Sequence, residues 1–486
     1  MKLTNTALFQ QKSFINGSFI DSDKKLKVFN PSNLELIGYI PDLTATDAQN
    51  AINFAAKSFI SWSRLTGKER AKILQKWHDL ILLNQEDLAI ILTTEQGKPL
   101  AESRGEIAYG AAFIEWFSEE AKRISGDVIS APKADQKILT SIEAIGVVGA
   151  ITPWNFPSAM ITRKAAAALA AGCSIVIKPS ELTPFSAIAL GVLAKEAGIP
   201  DGVFNIITGD AKTIGDEFCN NKIIRKLSFT GSTKIGKLLN QQCASDLKRT
   251  SLELGGNAPF IIFADANLDK AVEGLIHSKF RNSGQACTCT NRVLVDVKIH
   301  DQFLHKFIKA AQKLKCGDGF DPSSNLGPLI SDAALDKIER LIENALGLGA
   351  KCELGGQKLD RSASQLSGKY FPATIISNAT HEMDIAKEEI FGPVAAFYQF
   401  KTEAEAITLA NQTDYGLGSF LYTNDNNRIW RVSRELEYGM VAINECSFAT
   451  EVAPFGGIKD SGFGREGSHL GIEEFCQVKT LHINFS

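Results

Sequence analysis

The chain has 486 residues, 44% of them hydrophobic and 22% charged, and its 52 Lys+Arg against 55 Asp+Glu give a formal net charge of −3. That length suits two to four ordinary globular domains, and the near balance of charge, without a basic tail or a run of like charges, argues against a nucleic-acid partner. The opening "MKLTNTALFQQKSF" lacks the apolar core of a secretory signal, and the longest smooth apolar stretch, Ala165 to Ile177, is too short to span a bilayer and is interrupted by Gly172, so a soluble, cytoplasmic protein with no membrane partner is expected.

To about residue 121 the pattern is mostly helical, with short strands. In "TDAQNAINFAAKSFISWS" the apolar residues Ile52, Ala55, Ala56 and Phe59 keep helix spacing, and Thr46 or Asp47 serves as N-cap. "KERAKILQKWHDLILLNQEDLAIILTTEQGKP" reads as two helices ended by Gly97 and Pro99. From Ile145 the style changes. "IGVVGAIT" is a buried strand, broken by "PWNFP"; "SAMITRKAAAALAAG" is a helix with Gly172 at its C-terminal end. "SIVIKPS", "VFNIIT", "IRKLSFTGS" and "TSLELGGN" are further strands, with helices in "PFSAIALGVLAKEAG" and "TKIGKLLNQQCA". This alternation predicts a parallel α/β sheet of the nucleotide-binding type. After residue 255 it continues as a second α/β domain, with "APFIIFADA", a helix near Leu268–Phe280 and "NRVLVDVKI". The final "VKTLHINF" alternates, as a strand that pairs outside its own domain would.

Two glycine-rich stretches imitate familiar motifs. Gly462-Phe463-Gly464-Arg465-Glu466-Gly467 matches G-x-G-x-x-G, but the chain ends 19 residues later. That leaves no room for the βαβ unit and the acidic residue a dinucleotide fingerprint needs, so it reads as a turn. Gly231 to Leu238 nearly matches a phosphate loop, with Leu238 where a Mg²⁺-binding hydroxyl belongs. A glycine-bearing turn that opens a helix can still cradle a phosphate, although alone it also reads as an ordinary strand–helix turn.

Nine cysteines, scattered and odd in number, do not form a secreted disulfide framework. "FRNSGQACTCTNR" places Cys287 and Cys289 one residue apart. No C-x-x-C and no H-x-x-x-H pattern supplies further ligands, so no metal is expected there. A reactive thiol needs an oxyanion donor and often a base. Asn155 follows a predicted strand, and Glu253 precedes paired glycines. Each alone also reads as a turn, strand or packing residue.

The ordered set "ITPWNFP", "KPSE", "FTGSTKIG", "LELGGN", "GQACT", "EEIFGPV" and "PFGGIKDSGFGREG" is more specific. With it the chain resembles the NAD(P)-dependent aldehyde dehydrogenase superfamily end to end, and "PWNFPSAMITRKAAAALAAGC", "FRNSGQACTCTNR" and "EVAPFGGIKDSGFGREGS" are most similar to its succinate-semialdehyde members. The resemblance implies Cys287 as nucleophile, Asn155 and the Cys287 N–H as oxyanion donors, and Glu253 as general base. It also implies NAD or NADP held by Thr152, Pro153, Trp154, Lys178, Ser180, Glu181, Gly231, Ser232, Leu254, Glu389 and Phe391. Arg163, Arg281 and Thr450 fall where the substrate carboxylate is bound, and Cys289 where a redox companion to the nucleophile would stand. The run Cys446 to Thr450 departs from the usual small and apolar pattern, which leaves glutarate semialdehyde open beside succinate semialdehyde. The implied architecture is a Rossmann-like coenzyme domain (1–121 and 144–254), an α/β catalytic domain (255–454) and a small β oligomerisation segment (122–143 and 468–486). A homo-oligomer is implied, a tetramer rather than a dimer, working in γ-aminobutyrate degradation.

Overall fold

The structure is a computed structural model and describes residues 1–359 and 366–485. Five parallel strands form the centre of the first sheet, in the spatial order Phe204–Ile206, Ser174–Lys178, Val147–Ile151, Ile224–Thr230 and Arg249–Glu253. Their apolar runs reflect burial on both faces, as parallel sheets require; all five residues of Ser174–Lys178 are buried. The chain builds outward from Val147–Ile151 to Phe204–Ile206, then returns to the other side with Ile224–Thr230. The reversal opens a crevice beyond the carboxyl ends of the two central strands, where α/β sheets bind ligands. Thr152 to Asn155 leave one of these strands, and Gly231 and Ser232 leave the other.

The helix Ala159–Ala171 packs beside this sheet with all thirteen residues buried, and Gly172 ends it in the left-handed region at φ 97°. Two of those residues are Arg163 and Lys164. Charges so placed must find partners inside the protein. The first long helix starts at Ala45, two to three residues before the sequence pattern suggests. Thr44 is its N-cap, and the carboxylate of Asp47 completes a capping box.

The second sheet orders Lys351–Leu354, Thr374–Ser377, Val394–Phe400, Thr290–Asp296, Ala258–Ile262, Gly418–Tyr422 and Met440–Ile443, all parallel except the first. The helix Leu268–Phe280 connects two of its central strands and delivers the chain to the loop that carries Cys287. In a third sheet Cys476–Asn484 runs antiparallel to Gln136–Ala144, which pairs in turn with Val128–Ile129. The first sheet gains an edge that periodicity did not signal: Gly462–Phe463, a two-residue strand, pairs antiparallel with Leu252 and Glu253. The mixed α/β architecture with a parallel, dinucleotide-type sheet agrees with the fold class read from the sequence.

Candidate active site

Asn155, Glu253 and Cys287 come from three separate turns and meet in one cavity of about 920 Å³. Pro153, Trp154, Gly231, Ser232 and Leu254 line its first-sheet side, and Glu389, Phe391 and Cys289 its second-sheet side. Arg163 and Arg281 open onto it as well.

The Cys287 thiol is half-buried, and burial pushes its pKa up to about 12; Glu389 and Glu253 push the same way, and Arg163 pulls against them. At neutral pH the thiol therefore holds its proton until a base takes it. Asn155 is buried, its Oδ1 accepting from Phe156 N at 3.1 Å and its Nδ2 donating to Gln285 O at 3.1 Å. An amide nitrogen carries two protons, so one remains for the cavity. Glu253 is 4% exposed and neither of its carboxylate oxygens has a hydrogen-bond partner among the described residues. Burial first, then Glu466, raise its pKa well above the ordinary carboxylate range.

Glu466 went unread in the sequence because it lies in the glycine-rich stretch taken for a plain turn. It is 8% exposed and forms a close ion pair with Arg163, Oε2 to Nη2 at 2.7 Å, without the alignment of a hydrogen bond; Lys164 donates to its Oε1 at 2.5 Å. Burial alone would raise the Glu466 carboxyl, but the two cations hold it below its usual value. Arg163 also donates to the Tyr109 hydroxyl at 3.3 Å and lies 4.1 Å from the Phe455 ring centroid. The Arg281 guanidinium lies 5.2 Å from the Phe156 ring centroid and makes no ion pair among the described residues.

Other predicted positions lie off the cavity wall. Thr450 is outside it, its Oγ1 accepting from Val452 N at 3.5 Å, and the wall there is made by Cys446, Ser447, Phe448 and Ala449. Lys178, Ser180 and Glu181 sit at the carboxyl end of the neighbouring strand, where Lys178 Nζ donates to Glu181 Oε2 at 2.8 Å and Ser180 Oγ accepts from Leu182 N at 3.2 Å. Burial opposes ionisation of Glu181, but the Lys178 ammonium holds its pKa below the usual value.

These turns suit a dinucleotide. The helix Thr233–Ala244 begins after Ser232 with no side-chain cap on its first N–H groups, which leaves them for a pyrophosphate. The buried hydroxyls of Thr152 and Thr230 have no partner. Phe391, at φ 57°, meets the Trp154 ring edge-on at 5.6 Å across the mouth. Among the described residues no three His, Cys, Asp or Glu gather to hold a metal, and all nine cysteines are free thiols. Cys289 is buried with its Sγ 3.7 Å from Lys279 O.

The aldehyde dehydrogenase family model matches residues 19–481. The chain belongs to the aldehyde dehydrogenase family. Within the family it is 50% identical over 486 residues, all of both chains, to glutarate-semialdehyde dehydrogenase of Pseudomonas putida. It is also 50% identical over 485 residues, 99% of this chain and 100% of the relative, to the NADP(+) succinate-semialdehyde dehydrogenase of Escherichia coli. A crystal structure of an Escherichia coli NADP-dependent enzyme superposes with a TM-score of 0.97 at 50% identity, over 99% of this chain and 100% of that one. The fold is therefore the aldehyde dehydrogenase fold.

Proposed function

We propose that the protein oxidises succinate semialdehyde to succinate with NAD or NADP, through a covalent intermediate on Cys287. The observation that carries this reading is the meeting of a thiol, an amide with a spare proton and an unpartnered carboxylate in a cavity that two guanidinium groups also enter. The Escherichia coli and Pseudomonas putida relatives, named for semialdehydes of this kind, support it.

Transfer of the Cys287 proton to Glu253, which returns it to solvent, frees a thiolate, which attacks the aldehyde carbon and leaves a thiohemiacetal. The Asn155 amide and the Cys287 N–H offset the charge on the oxygen. The crevice turns, Glu389 and Phe391 would hold the dinucleotide, which would serve as acceptor for the hydride whose loss from the thiohemiacetal makes a thioester. Glu253 then takes a proton from water, and the hydroxide displaces the Cys287 sulfur to give the carboxylate. Its unpartnered oxygens are free to hold that water, and its raised pKa makes the ionised group a stronger base than an ordinary carboxylate. Arg163 and Arg281 hold the distal carboxylate by charge-assisted hydrogen bonds. Glutarate semialdehyde is the second reading, favoured by the Pseudomonas putida relative; one methylene is worth only about 1–3 kcal/mol of discrimination.

The enzyme is a cytoplasmic homo-oligomer, a tetramer, acting in γ-aminobutyrate degradation. Among the described residues no helix is long and apolar enough to cross a membrane. Val478, Leu481 and Ile483 stand exposed on the strand Cys476–Asn484, an edge suited to a second copy. Turnover of each semialdehyde with each dinucleotide, read as reduced-nicotinamide absorbance, tests the activity. Cys287→Ala should abolish it, and Glu253→Gln should accumulate a thioester adduct visible by mass spectrometry. Activity surviving in Cys287→Ala, or no adduct on Glu253→Gln, would overturn the roles.

A further inference from the structure

The two halves of the cavity are joined by a directional chain of buried amides. Asn282, five residues before Cys287, is 1% exposed and sits in the left-handed region at φ 50°. Its Nδ2 donates to Asn155 O at 3.0 Å and to Gln285 O at 3.2 Å. Its Oδ1 accepts from Gln96 Nε2 at 3.0 Å, while Gln96 Oε1 accepts from Lys98 N at 2.9 Å. The orientation is over-determined. Flipping the Asn282 amide would set its oxygen against two carbonyls and its nitrogen against a donor. Gln285 O, the carbonyl it shares, is also the acceptor for Asn155 Nδ2. The Asn155 carbonyl is pinned from its other side by Lys98, whose fully buried ammonium donates to it at 2.6 Å and to Glu106 Oε2 at 2.7 Å. Glu106 Oε1 accepts from Ser158 N at 2.9 Å and Ala159 N at 3.2 Å, which ties the network to the start of the helix bearing Arg163. The Asn282 N–H itself goes to Glu102 Oε2 at 2.8 Å.

An asparagine tolerates positive φ better than most residues, so backbone conformation explains the residue type. It does not explain why the side chain bridges one carbonyl on the Asn155 turn and one on the Cys287 loop. We propose that Asn282 is a positioning residue: its amide clamps the Asn155 turn to the Cys287 loop, so that the free proton of Asn155 Nδ2 faces the oxygen borne by the carbon that Cys287 attacks. The proposal rests on Asn155 acting as oxyanion donor. The clamp fixes which Asn155 proton is spent on Gln285 O and which is left for the oxyanion, a preorganisation that counts only in the transition state.

A double-mutant cycle between Asn282 and Asn155 tests it, read as the pre-steady-state burst of reduced nicotinamide, which reports acylation. Asn282→Gly keeps the left-handed backbone at no strain. Asn282→Asp keeps the acceptor for Gln96 but loses the donors. Thermal unfolding of each variant shows that it is folded. Loss of one oxyanion donor costs about 100–1000-fold, so a donor left in place but misdirected should cost about tenfold or more in the burst rate, with KM little changed. In an Asn155→Ala background the same Asn282 change should alter the burst less than about twofold, since the group it positions is gone. An equal loss in both backgrounds, or no loss in a folded single variant, overturns the proposal. A wild-type burst in Asn155→Ala alone would instead remove the oxyanion role of Asn155, and the clamp's purpose with it.

Discussion

Arg281→Ala is the cleanest probe of how the substrate's carboxylate is held. Arg163 is already engaged by Glu466, so its removal also strips a partner from a buried carboxylate. Arg281 has no such partner among the described residues, and its guanidinium lies 5.2 Å from the Phe156 ring centroid. A hydrogen bond to a charged group is worth about 1.5–3 kcal/mol, roughly 10- to 150-fold. Losing the ring contact adds about 0.5–1 kcal/mol, or two- to fivefold, whatever the substrate. Arg281→Ala should therefore lower kcat/KM for succinate semialdehyde by at least tenfold more than for butanal, a neutral aldehyde of the same carbon count. The melting temperature should stay within about 2 °C, since a surface-opening cation without an ion pair contributes little. Steady-state kinetics on both aldehydes with purified wild type and variant measure the ratio. Equal losses on the two substrates would refute the reasoning and make Arg281 a structural residue.

The carboxylate of Glu181 beside Lys178 disfavours a 2′-phosphate through like-charge proximity. NAD should thus be used at least as well as NADP, and Glu181→Ser should shift the kcat/KM ratio towards NADP; a tenfold NADP preference unmoved in that variant would refute this. Because burial pushes the Cys287 thiol up to about 12 and Arg163 opposes that shift, alkylation of the dinucleotide-free protein by iodoacetamide at Cys287 should still be accelerating at pH 9 and should be slower in Arg163→Ala; a plateau near pH 7 would refute the assignment. Peroxide should inactivate the enzyme and dithiothreitol restore it through a strained Cys287–Cys289 disulfide, whereas Cys289→Ala should oxidise beyond rescue; full recovery of that variant would leave Cys289 a packing residue.

Much of this was legible because it rests on local rules. The helix Leu268–Phe280 follows from apolar spacing, and Gly172 marks its helix end through a φ that glycine adopts without cost. The strand ends that carry Asn155 and Gly231 follow from α/β alternation. What stayed hidden depends on partners far away in the chain. A two-residue strand such as Gly462–Phe463 has no periodicity to read, and its pairing with Leu252–Glu253 helps bring Glu466 to Arg163 and Lys164. The helix around Arg163 is buried on every side, so no polar face reveals which group its charge meets. Nothing in the sequence singles out Lys98, Gln96 or Asn282; only the folded chain brings Lys98 and Asn282 to the carbonyls of Asn155 and Gln285, and Gln96 to the Asn282 amide.

Glu466 neutralises Lys164 from 302 residues further along the chain. At a synthesis rate of about 5–20 residues per second, that separation is roughly 15–60 s. The neighbouring sheet strands are made within that interval, but until its end the two cations of the helix Ala159–Ala171 lack their carboxylate and must stay hydrated. The coenzyme sheet therefore cannot close tightly over that helix early. The carboxylate that pairs with Arg163 and Lys164 arrives last, after both sheets have been made, and nascent chains held short of Glu466 should remain protease-sensitive around Arg163 even when both sheets have formed.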